Sequence, residues 1–139
     1  MKSKFSPIVK IKKQELDKIE GELVKINNKI ASKKEEINKI SFEIDSINLP
    51  TGGSFSMLKL LNENVLLMFH EKKQAEHELQ AFNQTKISIQ QKYKQANIEL
   101  EKMKYLHDIE VQKRVKELKL QEAKMLDEIS VMLYKKERD

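Results

Sequence analysis

Asn48-Leu49-Pro50-Thr51-Gly52-Gly53-Ser54-Phe55-Ser56 holds one of the two prolines and two of the three glycines in a chain of 139 residues. Proline cannot continue a helix, and adjacent glycines let a chain reverse without steric strain. The stretch therefore reads as a turn over 48–56. On either side the residues are mostly good helix formers, Lys, Glu, Leu, Ile, Gln, Met and Ala. The reading is one helix over about 7–47, the turn, and a second helix over about 57–135, all in a single domain spanning 1–139.

The composition suits that architecture. With 35% charged and 39% hydrophobic residues, 6% aromatic and no Trp, the chain can bury a seam but not a thick core. Its apolar residues are too many and too regular for a disordered chain. The net charge of +5 is spread thinly, with 11 Lys against 8 acids over 1–47, 6 Lys against 4 acids over 48–98, and 10 Lys or Arg against 10 acids over 99–139. Only 1–13 is locally basic, carrying Lys2, Lys4, Lys10, Lys12 and Lys13 and no acid. That makes a weak patch for an acidic partner, or simply a solvated helix end. The absence of cysteine excludes disulfides and Cys-based metal sites. The N-terminus lacks the apolar core of a signal peptide, and no apolar run reaches the roughly 18 residues of a membrane span. The chain is expected to be soluble.

Ser6-Pro7 reads as the start of the first helix, Ser6 accepting from an orphan amide and Pro7 preset for the first helical position. From there the apolar positions fall alternately three and four apart: Phe5, Val9, Leu16, Ile19, Leu23, Ile26, Ile30, Ile37, Ile40, Ile44 and Ile47, with Lys12 and Lys33 in the two missing slots. This is a coiled-coil seam. Gly21 lies off it and weakens the helix without ending it. The second helix has no Gly or Pro from Met57 onward and carries its own heptad, from Leu58, Leu61, Val65 and Met68 through Lys72, Ala75, Leu79, Phe82, Lys86, Ile89, Tyr93, Ala96 and Leu100 to Met103.

Antiparallel partners have residue numbers of nearly constant sum. A sum of 105 fills every slot, setting Ile47 against Leu58, Ile40 against Val65 and Phe5 against Leu100, but it also sets Lys33 against Lys72. In this register the first helix ends opposite Leu100, and the second continues alone for nearly 40 residues. Beyond Met103 the stripe changes phase to Leu106 or His107, then Val111, Val115, Leu118, Met125, Ile129 and Met132. The fold expected is all-α, an antiparallel two-helix coiled-coil hairpin with a long C-terminal helical overhang. An apolar stripe left uncovered marks a binding surface, for a partner or for a second copy.

Chemistry is sparse. A two-helix hairpin offers no pocket in which catalytic groups converge. Thr51-Gly52-Gly53-Ser54 lacks the lysine and the strand of a phosphate-binding loop, and His70 and His77 stand seven apart where helical metal pairs stand four apart. The expectation is no catalytic residue, no cofactor and no metal. Over 57–69 the apolar residues exceed what one seam buries, which makes Leu60, Leu67 and Phe69 an exposed patch unless the turn folds over them.

With these residues in view the chain resembles the FliJ family, small coiled-coil components of the bacterial flagellar type III export apparatus. The resemblance rests on Phe5-Ser6-Pro7-Ile8-Val9-Lys10-Ile11-Lys12, on the turn a little before mid-chain, and on Leu100-Glu101-Lys102-Met103-Lys104. Above all it rests on the closing signature that ends in Leu126, Asp127, Glu128 and Ile129.

It implies a non-enzymatic stalk whose partners are the hexameric flagellar export ATPase, the membrane export gate and export chaperones. Nucleic acid and small-molecule substrates are not among them. The implied location is cytoplasmic, peripherally associated with the inner membrane at the flagellar base. Carried onto this chain, Lys2, Lys4, Lys10, Val111, Val115, Leu118, Met125 and Ile129 would face the ATPase, and Leu61, Val65 and Phe69 would face the gate. Two other classes stay open on the residues alone. One is a basic coiled coil that binds nucleic acid or ribosomes, disfavoured by only two Arg and no aromatics interleaved with basic residues. The other is a self-associating structural coiled coil.

Overall fold

The computed structural model describes residues 2–48 and 52–138. It is the expected all-α hairpin: α1 spans Ser6–Asp45 and α2 spans Phe55–Arg138, with no strand among the described residues. Leu49, Pro50 and Thr51 lie outside the described residues, and with them the helix-breaking role expected of Pro50.

Side chains set the helix ends. At the N-terminus Ser6 accepts from an orphan amide, as expected, and its partner in the cap is Ser3. The Ser3 Oγ accepts from the Phe5 amide at 3.1 Å, while the Ser3 amide donates to Ser6 Oγ at 2.9 Å. The two serines thus bond reciprocally, and since the first α-helical bond runs from the Val9 amide to the Phe5 carbonyl, Pro7 lies in the first turn, where a missing N–H leaves no bond unmade. α1 ends two residues before the expected 47, with the Ser46 amide and hydroxyl both donating to the Phe42 carbonyl. α2 starts two residues early on Ser54, whose carbonyl and hydroxyl both accept from the Met57 amide. Before it Gly53 takes φ +145°, a conformation that side-chain-bearing residues rarely adopt.

Contacts fall into two units, each described by itself: Asp17–Lys94, and Met1–Leu16 with Gln95–Asp139. In the first, Ile26, Ile30 and Ala75 are buried, and in the second Leu16 and Leu100. The other positions of the α1 seam are half-buried, as are those of α2 from Leu61 to Met103. No described side chain is fully enclosed, so the core is a seam one residue deep.

The register differs from the expected one by a heptad. In the Asp17–Lys94 unit Lys33 pairs with Glu78, Lys29 lies 6.0 Å from the Phe82 ring, and the Tyr93 hydroxyl donates to Glu20 at 3.2 Å. In the other unit Lys12 pairs with Glu99 at 3.1 Å and Ser3 meets His107 at 2.6 Å. These residue numbers sum to 110–113, which centres the pairing near 112 and not 105.

The reason is electrostatic. At 105, Lys12 would lie between Lys92 and Lys94, and Lys33 against Lys72. At 112 each seam lysine of α1 finds a carboxylate, and the opposition of Lys33 and Lys72 disappears. The cost falls on the turn end of α2, where Leu58 is 39% exposed because no α1 residue stands opposite it. One consequence is that the pairing runs further along α2. His107 is half-buried while Leu106 is exposed, so His107 takes the seam slot, and the uncovered part of α2 begins near residue 116, not near 103.

Candidate interaction surfaces

In the unit formed by Met1–Leu16 and Gln95–Asp139, the segment before α1 is pinned to α2. Ser3, the one buried polar residue among those described, shares a hydrogen bond of 2.6 Å with His107 Nδ1, and Ser6 Oγ lies 3.5 Å from the same nitrogen. Arg114 donates to the Lys2 carbonyl at 2.9 Å and reaches Glu110 at 3.4 Å. Lys2, Lys4 and Lys10 are exposed. Reading the sequence missed this clasp. The available signal was the Ser3-x-x-Ser6 spacing together with a histidine in seam phase.

Further along α1, Lys12 is held between Glu99 and Glu15. The hydrogen bond that Lys12 donates to Glu99, with the charge of Glu15, raises the Lys12 pKa above the ordinary lysine value. The same bond holds the Glu99 carboxyl below its ordinary value. In the other unit Glu36 and then Glu78 raise Lys33, and Glu20 raises the Tyr93 phenol. These groups are structural pairs along the seam.

The residues expected to face an ATPase divide by burial. Val111 and Val115 are half-buried, whereas Leu118, Met125 and Ile129 are exposed. Every residue over 116–137 is exposed. The signature residues Leu126, Asp127, Glu128 and Ile129 all lie in this stretch. In the Asp17–Lys94 unit Leu61 and Val65 are half-buried in the seam and Phe69 points outward, 51% exposed. Phe55, Met57, Leu60, Leu66 and Leu67 are exposed with it. Leu60, Leu67 and Phe69 are thus open to solvent. Only Lys59 and Glu63 carry charge over 46–69, in a chain that is 35% charged, and charge depletion of this kind marks interface cores. His70 and His77 border one shallow surface with Lys73 and Gln74.

The fold, the heptads and the closing signature extend over the whole chain, and so does its match to a known family: the flagellar FliJ protein family covers residues 1–139. The chain belongs to the FliJ family. No curated protein and no solved structure matches it. As a FliJ-family protein it is a component of the flagellar protein export machinery. No helix among its described residues is long and apolar enough to cross a membrane.

Proposed function

We propose that this FliJ-family chain is a non-enzymatic stalk whose exposed C-terminal segment enters the central opening of the hexameric export ATPase and promotes its activity. The charge-poor patch around Leu60, Leu67 and Phe69 meets the export gate, and export chaperones are handled along the same hairpin. The protein works in the cytoplasm, peripherally associated with the inner membrane.

One observation carries the ATPase reading. Ile129, Val131, Met132, Leu133 and Tyr134 are all exposed, and at about 100° per residue they are spread around α2 with no bare sector wider than about 100°. A helix apolar all round belongs inside an enclosing partner. A flat surface, or a second copy in a two-stranded coil, would cover one stripe and leave the rest in water.

The test is cosedimentation of the export ATPase of the same organism with the full chain and with a chain cut after Leu118. That cut keeps His107, Val111 and Arg114. The full chain sediments with the ATPase and the cut chain does so much more weakly; equal sedimentation of both would remove the C-terminal segment from the interface.

A further inference from the structure

The clasp creates a surface that neither helix has alone. Phe5, Leu106 and Ile109 floor an open groove of about 330 Å³. Leu106 and Ile109 are exposed and stand outside the seam, so their part of the floor is not used in packing α1 on α2. At the rim Lys4 lies over the Phe5 ring at 5.3 Å, and Lys113 makes no ion pair among the described residues. Arg114 and Glu110 are occupied with each other. Glu117 is the remaining acid of the lining, against the two cations Lys4 and Lys113.

We propose that this groove docks an amphipathic helix of a protein partner, with apolar side chains on Phe5, Leu106 and Ile109 and carboxylates on Lys4 and Lys113. The charge selects the occupant: an apolar floor with a net cationic rim complements an acidic amphipathic helix and repels a basic one. Ser3 and His107 are positioning residues: together with Arg114 on the Lys2 carbonyl, their bond holds Lys4 and Phe5 beside α2. In the stalk reading, on which the choice of natural partner rests, the helix belongs to the export ATPase.

Two probes separate the inference from that reading. They are the export ATPase and a synthetic amphipathic peptide built from Leu and Glu, each titrated calorimetrically with the full chain in low and high salt. The expected result is binding of both, weakened by salt. It is weakened roughly tenfold by Lys4→Glu combined with Lys113→Glu, and also by the uncharged changes Ser3→Ala and His107→Leu. The charge-reversed positions are exposed, so that variant keeps its fold, and circular dichroism checks the other two. Peptide binding without ATPase binding leaves the groove standing and removes the stalk reading. ATPase binding that is indifferent to all the variants and to salt overturns the groove and leaves the stalk. No binding of the peptide by the unaltered chain overturns the groove as well.

Discussion

The ammonium of Lys12 lies 3.1 Å from the carboxylate of Glu99, and three heptads along each helix Lys33 meets Glu78 in the same relation. The two seam lysines of α1 thus share one spacing with two glutamates of α2. An apolar heptad repeats itself every seven residues and tolerates several registers, whereas two charge pairs at matched spacing select one.

Crosslinking tests that register directly. Ile40→Cys with Lys72→Cys is expected to form a disulfide readily under mild oxidation, and Ile40→Cys with Val65→Cys is not. The opposite yields on a non-reducing gel would restore the pairing one heptad closer.

The Lys12 and Glu99 pair has a defined pH window. Glu99 has a folded pKa below its ordinary value, so its contribution is present above the ordinary carboxylate range and is lost as pH falls through the lowered pKa. Lys12 has a raised pKa, so its contribution is present below the ordinary lysine value and is lost as pH rises through the raised one. At neutral pH Glu99→Gln is expected to melt below the unaltered chain. The gap closes in acid, once both proteins carry an uncharged group at 99. A gap that persists unchanged at pH 2 would mean the pair acts through packing and not charge.

Gly21 lies exposed within α1, and a Cβ added there meets nothing within 4 Å. Gly21→Ala is expected to stabilise the chain by about 1 kcal/mol, raising the urea midpoint with no change in slope. A lower midpoint would show that the glycine serves some purpose other than helix formation.

The two possible places to shorten the chain differ in consequence. A cut after Leu118 removes only exposed residues and is expected to leave the thermal midpoint near that of the full chain. A cut after Lys104 removes His107 and Arg114 and frees Ser3 and Lys2, so the midpoint falls and amide exchange at Phe5 and Ser6 accelerates. Equal midpoints for both cuts would show that the clasp contributes nothing to the fold.

Much of the fold was legible because its causes are local or periodic. Every expected seam position of α1 is buried or half-buried, as is every one of α2 after Leu58. The register was not legible from apolar spacing alone; Glu78 and Glu99 carried the missing information as neighbours of the seam. Ser3 was overlooked because Ser6-Pro7 is the stronger local start signal, and because the role of Ser3 depends on His107, 104 residues away. The surfaces were partly legible. Leu118, Met125 and Ile129 are exposed as a binding stripe requires, but the heptad could not tell that Val111 and Val115 are already half-covered.

The most direct test of the stalk reading is the rate of ATP hydrolysis by the export ATPase of the same organism, titrated with the full chain and with the chain cut after Leu118. The account predicts saturable stimulation by the full chain and none by the cut chain. Stimulation by both alike, or by neither, would contradict a stalk that acts through its C-terminal segment.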